Sequence, residues 1–318
     1  MQREKPSWTR RFLAVVRYEM LRNIRKKMFI GVLLSAFAFA TINFALPSIV
    51  ETAENPYFAV SFSAGSLMFI LFAVVTSMHS FSGEYEKGTA VSLLTKPVSR
   101  TMVFLGKLTA ISIVILAAYA VLYTYTTIGG MLVYGPQTNL HLVPLALIGD
   151  VVGTLIWVSI ILAAGAISKN SMLTVMMSFG LFVALSLGGG LVAAFSEDIA
   201  AVNYLPGGGT SGTMDIAVGQ NITIQNVTVN TYSSVATGTN SIGMNMIKYV
   251  MYPEAHVNFY HIDYLSMTSL NMTTPERELL YSEPLLLITL RSVGVAFVYI
   301  VAFLFVAWYA FKRWQITG

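Results

Sequence analysis

Long apolar runs alternate with short polar stretches along most of the chain. Six runs stand out, at 29–46, 58–78, 103–134, 142–167, 172–195 and 284–311. Each is near or above the ~20 residues that carry an α-helix across a bilayer. The third is long enough to need a tilt or a break, and Gly129-Gly130 is the expected break. In the fifth, Gly188-Gly189-Gly190 is the expected point of unwinding. Ahead of the first run the period changes. Trp8, Phe12, Val16, Met20 and Ile24 recur every four residues, while Arg10, Arg17 and Arg25 cluster opposite. This pattern predicts an amphipathic helix with a cationic face, suited to lie in a headgroup layer. A helix packed on a partner is the alternative. Residues 196–283 are rich in Gly, Thr, Asn and Ser, and "NITIQNVTV" at 221–229 alternates as strands or a hairpin would. The predicted fold is an all-α polytopic membrane protein. It has an N-terminal interfacial amphipathic helix, six transmembrane helices, and a small mixed α/β extracellular domain between helices five and six.

Composition and charge add an orientation. Of 318 residues, 55% are hydrophobic and 11% charged, against about 25% charged in soluble domains. Sixteen of the 19 Lys and Arg fall on one side of the six runs. They are Arg3, Lys5, Arg10, Arg11, Arg17, Arg22, Arg25, Lys26, Lys27, Lys87, Lys96, Arg100, Lys107, Lys169, Lys312 and Arg313. Only Lys248 and Arg277 lie on the other side, and Arg291 falls inside the sixth run. The positive-inside rule then makes both termini cytoplasmic in a multi-pass cell-membrane protein. The predicted division is an interfacial helix at 1–28, helices one to five at 29–195 with a cytoplasmic loop at 79–103, an extracellular domain at 196–283, helix six at 284–311 and a cytoplasmic tail at 312–318. The three sequons, at Asn221, Asn226 and Asn271, all fall in the extracellular segment, which marks it as a glycosylated domain. With no Cys, disulfides, thiolate metal sites and a Cys nucleophile are excluded. The sequons and the missing Cys suit an archaeal cell membrane.

The polar loop after the second run reads "FSGEYEKGTAVSLLTKPVSRTMVFLGKL" at 81–108. Ser82 is placed to cap a short helix with Glu84 and Glu86 in its first turn, where the helix dipole favours acids. Pro97 ends it, Leu93 and Leu94 are free to bury against a partner, and Lys96, Arg100 and Lys107 suit lipid phosphates. This loop, together with the six-span topology, resembles the permease subunits of type-2 ABC transporters, with an acid-rich "GE.E.GT...LL..P.SR......GK" pattern. The resemblance implies a coupling helix that docks on a cytosolic ABC ATPase through Ser82, Glu84, Glu86, Lys87, Leu93 and Leu94. It also implies two permeases, copies or paralogues, around an export cavity, and ATP and Mg on the partner subunit with no cofactor in this chain. The alternative is a solvated loop whose bases only obey the positive-inside rule. The chain lacks a G-x-x-x-x-G-K-[ST] loop of its own, because "GGGTSG" at 207–212 has no Lys.

Inside the runs, Asp150 and Arg291 enter from the same side to similar depth and are expected to pair near an outer gate, or else to snorkel separately. Hydroxyls such as Thr76, Ser77 and Ser178 are candidate substrate contacts or ordinary helix-packing groups. Glu254, His256, His261 and Asp263 have no standard metal spacing and are read as surface groups. No catalytic constellation is present, and neither an enzyme nor a nucleic-acid binder is expected. An ion-coupled secondary transporter, or an anchor for an extracellular binding domain, is the competing function. Membrane lipids are the remaining expected partner.

Overall fold

A computed structural model describes residues 7–45, 65–86, 88, 99–134, 140–195, 199–215, 221–224, 227–230, 234–262 and 277–313. The helices are α1 (Trp8–Ile24), α2 (Lys27–Ala45), α3 (Gly65–Ser77), α4 (Ser82–Glu86), α5 (Arg100–Tyr134), α6 (Val143–Ser168), α7 (Ser171–Phe195), α8 (Ile242–Met251) and α9 (Leu285–Lys312). Among the described residues, five helical stretches are long and apolar enough to cross a membrane: Leu67–Glu86, Arg100–Val133, Leu140–Ser168, Ser171–Val192 and Leu285–Lys312. The first of the six expected spans falls on α2, which is apolar but shorter. The chain is therefore a multi-pass, mostly helical membrane protein.

Helix α6 is the centre of the bundle and packs against α3, α5, α7, α8 and α9. Its middle, from Ile156 to Ala164, is buried on every side. A Pro at the start of α6 fits the first turn, where its missing N–H leaves no gap in the ladder. Lys169 ends it in the left-handed region with φ 56°, and α7 turns back at once.

Two expected interruptions are absent. Helix α5 runs 35 residues straight through Gly129-Gly130. The glycine permits close approach there instead, since a Cβ at Gly129 would sit 2.6 Å from the Phe44 ring of α2. Helix α7 also continues unbroken past Gly188–Gly190 to Phe195.

At one end of the bundle lies a small sheet. Strands β1 (Ser211–Met214), β4 (Ser234–Ala236), β5 (His256–Ile262) and β6 (Arg277–Pro284) run in the order β4-β1-β5-β6, with every pair antiparallel. Strands β2 (Asn221–Ile224) and β3 (Val227–Asn230) form a separate hairpin in which Ile222 faces Val229 and Ile224 faces Val227. The sheet is joined to the bundle twice. Met214, Val235, Val257 and Phe259 share a core with Leu285 and Ile288 of α9. Helix α8 lies on the outer turns of α6, where Gly149 and Gly243 meet so closely that a Cβ on Gly149 would fall 2.1 Å from the Gly243 nitrogen. Beyond that contact the sheet-end loops descend further. Gly207 covers the ring of buried Trp157, and Asn240 donates to the Gly207 carbonyl at 2.9 Å.

Lys248 of α8 is 8% exposed and donates to the Ser234 carbonyl. Burial away from water pushes its ammonium down to about 8. The folded chain then releases this proton near pH 8, while the unfolded chain keeps it to about 10.4. Stability should therefore rise with pH between those values. A series of melting temperatures from pH 7 to 10 should show that rise, and a Lys248→Met chain should lack it.

Candidate functional site

The end of the bundle opposite the sheet carries α1, α4 and the densest group of ion pairs among the described residues. Helix α1 starts on Ser7, whose hydroxyl accepts from the Arg10 amide at 3.4 Å. It lies along the first turns of α5. Gly106 sets the spacing, because its missing side chain admits Val15, whose Cγ1 lies 2.7 Å from where a Cβ would be. One turn beyond Val15, Glu19 then reaches Lys107. Phe12 and Met20 are half-buried and Val16 is buried, while Trp8 and Ile24 at the ends of the expected apolar stripe are 54% and 45% exposed. Arg17 and Arg25 are exposed. The helix is thus rotated from the expected stripe and buries Glu19 and Asn23.

Helix α4 brings the second acid. Phe81, just ahead of it, stacks on Phe104 of α5 at 5.5 Å and meets Phe311 of α9 at 4.8 Å. This wedge aims Glu84 inward. Lys107 Nζ donates to Glu19 Oε1 at 2.8 Å and to Glu84 Oε1. Arg22 bonds Glu19 at 2.7 Å and reaches Glu84 at 3.4 Å. Lys107 is 1% exposed, Glu19 3% and Glu84 7%. Two acids and two bases balance one another, which is the condition for burying charge at all. One cluster thus ties α1, the polar loop and α5.

This arrangement corrects three expectations. Lys107 faces protein, not lipid phosphate. Glu84 is engaged within its own chain. Ser82 does not cap α4, since its hydroxyl donates back to the Met78 carbonyl and sits 3.0 Å from Ser171 Oγ. Glu86 also has an internal role. Its carboxylate takes the Ser171 amide at 2.6 Å and the Ser171 hydroxyl at 2.8 Å, which caps the start of α7 where the dipole favours an anion. His79 joins them, with Nδ1 2.9 Å from Ser171 Oγ. Glu86→Gln should weaken that cap by about 1 kcal/mol, read as a small drop in melting temperature. Lys87, Leu93 and Leu94 lie outside the described residues.

At the sheet end the expected Asp150–Arg291 pair is not formed. Arg291 makes a two-pronged pair with Glu283, at 3.0 and 2.8 Å, eight residues back on the same chain segment. The planar fork matches that carboxylate, and the end of β6 delivers it. Asp150, 4% exposed, accepts from the Tyr123 hydroxyl at 2.8 Å, and Tyr119 bonds Thr154 beside it at 2.8 Å. Thr76 and Ser77 turn their hydroxyls to carbonyls of their own helix, as packing groups do. Of the sequons, Asn221 opens β2 opposite Asn230, while Asn226 and Asn271 lie outside the described residues.

The residues that sequence reasoning missed are Glu19 and Arg22. The signal was there: Glu19 is the one acid in α1, and it lies on the face that otherwise reads as apolar. Lys107 is likewise a lone charge in the apolar stretch 101–134. A search of curated proteins found no match. Residues 13–315 match the family model described as ABC-2 family transporter protein, which spans the charge cluster, the bundle and the sheet alike. The chain belongs to the ABC-2 family of transporters and is a membrane permease of ABC-type transport.

Proposed function

We propose that this permease is one half of the membrane pathway of an exporter, driven by a separate cytosolic ABC ATPase that binds the loop after α4. The observation that carries this reading is the buried charge cluster. A loop that only crossed solvent would have no need of a desolvated carboxylate held by two other helices. Through Glu84, force applied to the loop passes to α5, the longest helix, and to α1. In this reading the cluster end is cytoplasmic and both termini are there, in line with the bias of Lys and Arg. The sheet end is extracellular and carries sugar at its sequons. A second permease, copy or paralogue, completes the pathway, and lipids surround both. ATP and Mg belong to the partner subunit.

Because Glu84 and Glu86 are held within the chain, their loss would disturb the fold as well as any partner. Leu93 and Leu94 make the cleaner test. Tagged chain purified from its own membranes in mild detergent should bring a Walker-motif ATPase with it. Leu93→Asp with Leu94→Asp should release that ATPase and leave the permease's melting temperature unchanged. Recovery of the permease with no ATPase, even after cross-linking, would overturn the proposal.

A further inference from the structure

We propose that the turn between α6 and α7 is a second docking point for the ATPase, and that Lys169 at its tip holds an acidic side chain of that subunit. The proposal rests on the exporter reading above and extends its docking surface beyond the loop after α4. Lys169 sits where its own backbone disfavours it. Its φ of 56° is the one positive value at a non-glycine position among the described residues. In that region a Cβ crowds the following carbonyl, so the residue that ends a helix there is usually Gly, sometimes Asn. Asn170 is committed to the next place instead, where its Oδ1 accepts from the Leu173 amide at 2.9 Å and starts α7. The turn's backbone therefore gives no reason for a lysine at 169, and the reason must lie in its side chain.

Within its own chain that side chain does little. The ammonium lies 4.8 Å from the centre of the Tyr85 ring. Such a contact uses the ring's face and leaves the three N–H donors unspent. No acid among the described residues pairs with Lys169. Its neighbours at this end differ. Lys107 and Arg22 are held by Glu19 and Glu84, and Lys26 donates to the Val75 carbonyl at 3.1 Å.

The occupant follows from what the turn is fastened to. Ser168 Oγ donates to the Asn170 carbonyl at 3.2 Å, which closes the turn on itself. Glu86 takes the Ser171 amide and hydroxyl, which fixes the turn to the last residue of α4. The next residue, Lys87, begins the loop proposed to bind the ATPase. Tyr85, 37% exposed, holds the ammonium on the α4 side, and Asn170 beside it is exposed. A subunit seated on the loop therefore meets Lys169 as part of the same surface. A carboxylate is the group that completes a cation with open donors, and such a pair at the rim of an interface fixes its register.

The test uses the full chain purified with its ATPase in mild detergent. A carbodiimide, which joins an ammonium to a carboxylate it touches, should link Lys169 to an Asp or Glu of the ATPase, mapped by mass spectrometry. Lys169→Asn accepts the same backbone but removes the cation. It should melt at or above the parental temperature and yet retain about fivefold less ATPase, the upper end for an exposed ion pair. A turn that was merely structural would not lose the partner while keeping its stability. Lys169→Arg keeps the charge and should retain the ATPase. Retention unchanged by Lys169→Asn would overturn the proposal, and so would equal losses in the Asn and Arg variants. Links from Lys169 only to a second copy of the chain, or none at all, would overturn it too. ATPase released by the Leu93 and Leu94 changes but kept by Lys169→Asn would sink this proposal alone. A parent chain that brings no ATPase would sink the exporter reading with it.

Discussion

Replacing Lys107 with Met should destabilise the permease by about 3–5 kcal/mol, the cost of breaking a buried ion pair from one side. The substitution keeps most of the side-chain volume but removes the cation between Glu19 and Glu84. Both carboxylates then face each other beside Arg22, which lies at the edge of the cluster. A double variant, Lys107→Met with Glu84→Gln, should recover much of the loss, because Glu19 and Arg22 then remain as a matched pair. Thermal unfolding in detergent near neutral pH reads both. A single variant as stable as its parent would mean that the cluster is hydrated and does not tie α1 to α5.

Gly149→Val should be the most damaging change at the other end. A Cβ alone at this position would lie 2.1 Å from a backbone nitrogen and 2.2 Å from the Cα of Gly243. Both neighbours are main chain, so no rotamer change relieves the overlap. Helix α8 must move off α6, and Ile242 and Ile247, now 1% and 2% exposed, lose their packing. Overpacking of a core costs about 1–3 kcal/mol, and the loss of burial by two isoleucines adds about 1.5–3 kcal/mol each. Limited proteolysis should show the sheet end cleaved while the five long helices stay protected. Gly180→Val, which meets nothing within 4 Å, is the control and should behave as the parent. Equal protease resistance in the two would exclude close α6–α8 contact.

Much of the bundle was legible because a lipid-spanning helix is written in composition alone: twenty apolar residues need no partner to be recognised. The β2–β3 hairpin was legible for a similar reason, since Ile222, Ile224, Val227 and Val229 alternate within nine residues. What could not be read was the choice of partners. Glu84 and Lys107 are 23 positions apart and Glu19 is 65 before Glu84, so nothing local distinguishes a buried cluster from solvated loop charges. Arg291 shows the same limit. Depth in the membrane nominated Asp150, but Glu283 lies nearer along the chain and offers two oxygens to a planar fork. Gly129-Gly130 is ambiguous in kind, because glycine weakens a helix and also admits a neighbour, and here the neighbour, Phe44, decides. Strands β1 and β4, SGTM and SVA, are too short and polar to announce themselves. They exist because β5 and α8 give them something to pair with and cover.

The contact of Gly207 and Asn240 over Trp157 has a consequence for how the chain is made. Trp157 lies 14 residues into α6, about 21 Å at roughly 1.5 Å per residue. Its cover is synthesised 50 to 83 residues later, and Gly243, which seats α8 on Gly149, later still. During synthesis α6 therefore enters the bilayer with Trp157 still uncovered on that side. Its final packing waits for ribosomal delivery of residue 243 and beyond. Nascent chains stopped after α7 should be held by the insertion machinery or its chaperones, and should release once α8 has emerged.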